Sequence, residues 1–326
     1  MARELDEDDV RVRPGRSTRP RSKVRPSHRK AVPGVVTAVD RGRFTCEISD
    51  GTRLIAVKAR ELGRRGIVVG DRVKLTGDVS GDAGSLARIV SQEPRTTLLL
   101  RTADDDNSTE RPLVANADQL GIVIAAADPE PRQGFVDRCL VAAYDAGLRP
   151  LLLVTKSDLA DPDDFLDAYR DLDVTTVRCR RGADLSELRT VLAGHLTVLI
   201  GHSGVGKSTM VNALVPEADR ATGVVNEVTG RGRHTSTSAV LLDLPGGGAI
   251  IDTPGVRSFG LNHVTAQTVF DSFEDLAAGT EECPRSCTHD EADCALDGWV
   301  AAGNSSPARL ESLRRILRTL ATVEDY

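Results

Sequence analysis

The chain has 326 residues, 40% of them hydrophobic and 28% charged, too long for one average domain and ordinary for a soluble protein of two or three. Its start, MARELDEDDV, is acidic without an apolar core, which argues against a secretion signal, and its longest apolar runs fall well short of the ~18 residues that cross a membrane, so a cytoplasmic protein is expected. The formal net charge of −6 is uneven: residues 11–30 hold nine Lys or Arg and no acid, which leaves the remainder at −15.

That arm, RVRPGRSTRPRSKVRPSHRK, is rich in Pro and Ser and poor in apolar residues. It cannot bury enough surface to fold alone, and residues 1–32 are expected to be a disordered basic arm suited to nucleic-acid phosphates. A solvated tail without a partner is the bland alternative. Residues 33–100 then offer five short strand candidates, GVVTAVD, RFTCEISDG, RLIAVKA, DRVKLTGD and SLARIVSQ. Five strands in so short a stretch predict a small β-barrel of the OB type, with an SH3-like barrel as the competing pattern. The stretch has one aromatic, Phe44, so stacking of bases on aromatic platforms is not expected. Contact with an RNA backbone through Lys58, Arg60, Arg64, Arg65 and Arg72 is, with solvated charge as the alternative for each.

The polar run RTADDDNSTERP, Arg101 to Pro112, reads as a flexible linker. From 113 to 262 strands alternate with helices: GIVIAAA, PLLLV, VTTVRC, LTVLI, VLLDL and GAIID against helices at 135–146, 163–171, 185–193 and 207–214. The alternation predicts an α/β domain with a mostly parallel sheet covered on both faces. Beyond about Val264 the pattern becomes helical and polar. The chain closes on an amphipathic helix with Leu310, Leu313, Leu317 and Leu320 on one face and Arg309, Arg314, Arg315 and Arg318 elsewhere; packing on its own domain is the default use of such a stripe.

Three motifs in the α/β region carry chemistry. GHSGVGKST, Gly201 to Thr209, follows the strand LTVLI and opens a helix, the context a phosphate-binding loop requires. Glycines at 201, 204 and 206 let backbone N–H groups of Gly201, His202, Ser203, Gly204, Val205 and Gly206 turn toward phosphate oxygens. Lys207 would neutralise the β- and γ-phosphates, Ser208 would bind Mg²⁺, and Thr209 would reach the α-phosphate. DTPG follows the strand GAIID; Asp252 would hold Mg²⁺ and the Gly255 N–H would meet the γ-phosphate. TKSD, Thr155 to Asp158, selects the base. The Asp158 carboxylate accepts from both the ring N–H and the exocyclic amine of guanine, whereas adenine would leave it desolvated and unpaired. Ser157 shares this loop, and Lys156 is expected to lie along the base and brace the phosphate loop. The substrate is therefore expected to be GTP with Mg²⁺.

Between the phosphate loop and DTPG lies a long polar loop, Pro216 to Ser238. Loops of this length in compact domains are usually functional or disordered. One of Thr235, Ser236 and Thr237 is expected to complete the Mg²⁺ shell, which would make the loop a switch ordered by GTP. Ras-like enzymes orient the attacking water with a Gln just after the Asp-x-x-Gly motif. Here Val256 stands at that position, so unassisted hydrolysis should be slow. His234 is the favoured substitute, since imidazole can orient water near neutral pH; Arg231 and Arg233 are alternatives, and binding a partner without chemistry is the bland reading of all three.

Of six cysteines, Cys46, Cys139 and Cys179 sit in apolar stretches as buried thiols. Cys283, Cys287 and Cys294 cluster around His289, a Cys₃His set sufficient for a tetrahedral structural zinc site with no catalytic role.

The order of parts, guanine reader, then phosphate loop, then RHTST, then DTPG, with a barrel before and a Cys/His cluster after, resembles the circularly permuted ribosome-biogenesis GTPases of the RsgA (YjeQ) family from about residue 33 to the end. The resemblance implies an OB-fold barrel, a circularly permuted GTPase domain over 113–262 and a mostly helical zinc-binding domain over 263–326. It also implies strong activation by the small ribosomal subunit, contact with its rRNA, action in late subunit maturation, and hydrolysis involving the histidine that matches His234. A monomer is expected. This chain departs from the family's usual pattern in three places. The zinc spacing is Cys-x₃-Cys-x-His-x₄-Cys, one residue shorter in each of two gaps. Cys179, Arg180 and Arg181 stand where small polar residues usually support the base. HTST replaces HTTT. Two other readings compete: an RNA-binding assembly factor for which GTP is only a conformational ligand, and an ATP-using phosphotransferase sharing the phosphate loop. The permuted order also runs the switch strands directly into the zinc domain, which would couple γ-phosphate loss to movement of that domain.

Overall fold

The computed structural model describes residues 30–63, 66–103, 106–216, 239–253, 261 and 264–324. Most of the basic arm, Arg64, Arg65, Arg231, Arg233, His234, Thr235, Ser236, Thr237, Gly255 and Val256 lie outside them.

The first five strands are β1 (Val32–Asp40), β2 (Arg43–Ile48), β3 (Arg53–Lys58), β4 (Arg72–Gly77) and β5 (Ala87–Gln92). They pair in the order β1-β2-β3-β5-β4, and β4 returns to β1, closing a barrel in which β3 and β5 run parallel. This is the five-stranded Greek-key closure of an OB fold. Alternation does the work: Phe44 and Cys46, Leu54 and Ala56, Val73 and Leu75, and Ala87 and Ile89 point inward, while their neighbours point out.

Of residues 101–112, expected as a flexible linker, 101–103 and 106–112 instead belong to two antiparallel strands, β6 (Leu98–Ala103) and β7 (Asp106–Ala115). The polar run is flanked by apolar triplets, Leu98–Leu100 and Leu113–Ala115, which pair across the ribbon and bury Leu99 and Val114. The base of the ribbon is tied to the barrel. Val114 bridges Val69, the Asn116 side chain accepts the Thr96 N–H at 2.9 Å and donates to the Gly70 carbonyl at 2.9 Å. Beside it the fully buried Asp71 accepts from Arg95 at 2.7 and 2.8 Å.

Six strands follow: β8 (Gln119–Ala125), β9 (Arg149–Thr155), β10 (Thr175–Arg178), β11 (Leu196–Ile200), β12 (Val240–Asp243) and β13 (Ala249–Asp252). Their order is β10-β9-β8-β11-β13-β12, all parallel except β12, which is antiparallel to β13 and meets β1 at Ala38↔Val240. The central strands are buried on both faces, as near-continuous apolar runs demand. Helices α1 (Gln133–Asp145), α2 (Asp163–Leu166), α3 (Ser186–Leu192) and α4 (Lys207–Leu214) are the connections.

The C-terminal part contains α5 (Ala266–Phe270), α6 (Glu274–Ala277), α7 (Ala295–Ala301) and α8 (Pro307–Glu324). The buried stripe of α8 is Leu310, Leu313, Ile316 and Leu320, with Leu317 at its margin. It packs on α5 and α7, but also on α1 of the α/β region, so the default of packing within its own segment describes only part of its contacts. Polar anchors explain the wider reach. Arg315 pairs with the buried Asp137 of α1 at 3.1 Å, donates to the Ala168 carbonyl at 3.1 Å and lies over the Tyr169 ring. Arg309 donates to the Asp171 carbonyl at 2.9 Å.

Candidate nucleotide and metal sites

In an open α/β sheet the crevice outside the carboxyl ends of the strands is where ligands bind. The sequence-predicted groups within the described residues meet there. TKSD begins at the last residue of β9, the phosphate loop joins β11 to α4, and Asp252 ends β13. Gly204 and Gly206 have φ of 85° and 87°, the left-handed conformation that turns the loop. Lys207 is buried, and Ser208 and Thr209 are exposed on the first turn of α4. The Lys207 ammonium is ion-paired with the Asp252 carboxylate. The expected phosphate-binding cation and the expected metal-holding carboxylate thus face one another across the loop, although 45 residues separate them.

The brace between the guanine reader and the phosphate loop differs from the expectation. Lys156, with φ of 53°, donates its ammonium to the Asp128 carbonyl. Thr155 holds the phosphate loop instead: its buried hydroxyl contacts the Ile124 carbonyl at 3.1 Å and the Val205 carbonyl. The physical reason is reach, since a short side chain at the strand end lies directly under the loop whereas the next residue turns outward. Asp158 is exposed at the crevice rim. Ser157 donates to the Cys179 carbonyl at 3.2 Å, and the Cys179 N–H donates to the Val154 carbonyl at 2.7 Å. The segment carrying Cys179, Arg180 and Arg181 therefore sits beside the guanine reader. Cys179 is buried, which pushes its thiol up to about 11, and burial lifts Cys46 to about 12 and Cys139 higher still; all three are inert packing thiols.

His202, in the phosphate loop, stacks on Phe135 of α1 with ring centroids 4.2 Å apart. Burial, then Arg132 and Arg138, hold its pKa below the ordinary range, so it is neutral at pH 7. Thr253, which no motif reading singled out, is 1% exposed and donates to the Leu199 carbonyl at 2.7 Å. The signal was present in DTPG, where a polar residue follows directly on a buried strand.

The second site is the Cys₃His cluster. The ligand atoms of Cys283, Cys287, His289 and Cys294 all lie within 4.8 Å of one another. Cys283 Sγ is 3.5 Å from His289 Nδ1 and 3.9 Å from Cys294 Sγ, and Cys294 Sγ is 3.8 Å from Nδ1. Tetrahedral bonds of ~2.3 Å to sulfur and ~2.0 Å to nitrogen require edges of about 3.5 to 3.8 Å, so the donor set fits a zinc ion. Burial lowers the His289 pKa, which favours the neutral form that ligates. Around the cluster, Arg314 donates to the His289 carbonyl at 2.7 Å and pairs with Asp297 at 2.7 Å, while Arg318 pairs with Asp290 at 2.6 Å, tying α8 to the ligand loop.

On the barrel, Arg60 and Arg72 are exposed and Lys58 is half-buried with a partner of its own. Lys74 and Arg88, which the motif reading missed, share the outward face of β4 and β5 with Arg72: Thr76, two residues beyond Lys74, stands opposite Arg88. The alternation in DRVKLTG was the available signal.

A family model described as RsgA GTPase matches residues 92–262. A Pseudomonas putida protein named small ribosomal subunit biogenesis GTPase RsgA is 41% identical over 265 residues, covering 78% of this chain and 75% of that protein. The Azotobacter vinelandii protein of the same name is 42% identical over 270 residues, covering 79% and 76%. Among solved structures, YjeQ from Thermotoga maritima superposes with a TM-score of 0.64 at 27% identity, covering 89% of this chain and 99% of that one. YloQ, described as a circularly permuted GTPase, shares the fold with a TM-score of 0.63 at 21% identity, covering 90% and 96%. The unusual order in which the base reader precedes the phosphate loop is thus matched by relatives along most of the chain's length, and the protein belongs to the RsgA GTPase family.

Proposed function

We propose that this protein hydrolyses GTP in late maturation of the small ribosomal subunit, is activated by that subunit, and is released from it after hydrolysis. The observation that carries the reading is the convergence of Thr155, the phosphate loop, Lys207 and Asp252 at the carboxyl ends of the parallel strands in a member of the RsgA family. Asp158 accepts from guanine. The Gly201–Gly206 backbone and Lys207 bind the β- and γ-phosphates, and Thr209 reaches the α-phosphate. On nucleotide binding, Lys207 would exchange its pairing with Asp252 for the phosphates, and the freed carboxylate would hold Mg²⁺ together with Ser208 and a hydroxyl from Thr235, Ser236 or Thr237. Mg²⁺ supplies neutralisation of charge developing on the β–γ bridge. The Gly255 N–H supports the γ-phosphate, and His234 positions the attacking water.

One structural zinc held by Cys283, Cys287, His289 and Cys294 fits the donor set. The basic arm and the outward row Arg72, Lys74 and Arg88 suit rRNA phosphates, a sequence-independent attraction that weakens with salt. No helix among the described residues is long and apolar enough to cross a membrane; the site of action is the cytoplasm, and the protein works as a monomer.

The test is GTP turnover titrated with purified small subunits, with large subunits as control. A large rise with small subunits alone is expected; equal rates with and without them refute activation. His234→Ala separates hydrolysis-driven release from GTP as a mere conformational ligand: the variant should remain trapped on subunits with GTP, and normal release would favour the second reading. Asp158→Asn should lose GTP affinity by orders of magnitude, and ATP binding as tight as GTP binding by the unaltered protein would favour the phosphotransferase reading.

A further inference from the structure

Strands β11 and β13 run in parallel register from Leu196↔Ala249 to Leu199↔Asp252. Beyond that pair the chains fork, β11 into the phosphate loop at Gly201 and β13 into Thr253. Thr253 stands at the fork. It is 1% exposed, and its hydroxyl donates to the carbonyl of Leu199, two residues before the loop, at 2.7 Å. The loop itself is held at its middle, the Val205 carbonyl, by the buried Thr155 hydroxyl. Two buried threonines, from two different motifs, therefore hold the phosphate loop and the strand that leads into it, and Thr253 acts on the side that carries Asp252.

We propose that Thr253 is a positioning residue, holding Asp252 in register with the phosphate loop so that metal and γ-phosphate are gripped together. The inference rests on reading the loop and Asp252 as a GTP–Mg²⁺ site. Lys207 comes from α4 at the end of the phosphate loop, and Asp252 from the end of β13; their spacing is set by the fork that the Thr253 hydroxyl spans. Ground-state grip on the β-phosphate comes from the loop backbone, which Thr155 steadies. The geometry between metal and γ-phosphate depends on the other branch. Loss of the Thr253 bond should therefore fall on metal dependence and turnover more than on GDP binding.

The experiment uses the full chain and compares Thr253→Val, which keeps shape and removes the hydroxyl, with Thr253→Ser, which restores it, and with Thr155→Val. GDP affinity, kcat, KM for GTP and the Mg²⁺ concentration at half-maximal turnover are measured alongside thermal melting. Thr253→Val should hold GDP within about twofold of the unaltered chain, raise the Mg²⁺ requirement about tenfold and lower kcat about tenfold. Thr253→Ser should recover both, and Thr155→Val should weaken GDP and GTP together. If Thr253→Val does not fold, Thr253→Cys, of similar volume and weaker bonding, carries the same comparison. Normal Mg²⁺ dependence in Thr253→Val, a parallel loss of GDP affinity and kcat, or failure of Thr253→Ser to rescue would overturn the assignment. An unaltered chain that does not hydrolyse GTP even with small subunits would instead overturn the reading of the site.

Discussion

Gly201→Ala is the substitution whose outcome the structure fixes most tightly. A Cβ at Gly201 would lie 2.6 Å from the Val123 carbonyl oxygen, 3.0 Å from Val205 Cγ2 and 3.1 Å from Val123 Cβ. Ordinary contact begins at 3.4 Å, so the phosphate loop and β8 must part by about 0.8 Å. The closest contact, the Val123 carbonyl, is backbone of β8, a strand buried on both faces, and it does not yield by rotating a side chain. Overpacking of this kind costs about 1–3 kcal/mol. A displacement near 1 Å at a reacting centre costs on the order of 100-fold. Turnover should therefore fall about 50- to 100-fold, with a drop of several degrees in the melting temperature. Gly194→Ala is the control. Its φ is 75° and a Cβ there meets nothing within 4 Å, so it carries backbone strain of about 1–2 kcal/mol without a clash, just before the amino end of β11 and away from the crevice. It should lower melting modestly and leave turnover alone. Steady-state GTP hydrolysis and thermal melting on both variants decide. Turnover within twofold of the unaltered protein in Gly201→Ala, or an equal loss in Gly194→Ala, refutes the argument.

Arg315→Met removes the counter-charge of Asp137, a carboxylate 1% exposed whose pKa burial already raises, and should cost about 3–5 kcal/mol in denaturant unfolding. Adding Asp137→Leu should recover most of that loss; no recovery would mean the arginine acts through Tyr169 and the Ala168 carbonyl instead. His202 has a depressed pKa, so below its ordinary 6.5 the unfolded chain takes up the proton first and the folded state loses stability as pH falls. His202→Gln should therefore lose less melting temperature than the unaltered protein between pH 7 and 5, and identical profiles would contradict this. The sole tryptophan, Trp299, belongs to α7, the helix that Cys294 caps, donates to the Asp275 carbonyl at 2.8 Å and lies over Gly279. Stripping zinc with a chelator should red-shift its emission and adding zinc should reverse the shift; unchanged emission would refute a structural role for the metal.

Much of this molecule is legible in its linear pattern, because the signals are local. The barrel strands follow from alternation, and α4 from a glycine loop leading into a helix: its predicted span, 207–214, matches the structure. The Cys₃His donors are bunched within a dozen residues, too close to be held far apart. The polar run 101–112 misleads because a strand in a two-stranded ribbon needs no apolar face along its length; its pairing is decided by the leucines and the Val114 and Asn116 contacts at its base.

Long-range partners are another matter. That Thr155 rather than Lys156 braces the phosphate loop depends on which side chain points beneath Val205, a consequence of sheet register across 50 residues. The reach of α8 onto α1, through Arg315 and Asp137 178 positions apart, is set by where two helices come to lie after the sheet has formed. The sequence by itself determined which residue types could read guanine, grip phosphate and hold zinc, since those demands act on a few neighbouring side chains. Only the tertiary structure decided which buried hydroxyl or carboxylate each one leans on, because hydrogen bonds and ion pairs act over a few ångströms of space, and only packing brings chemically ordinary residues such as Thr253 and Leu199 within that range.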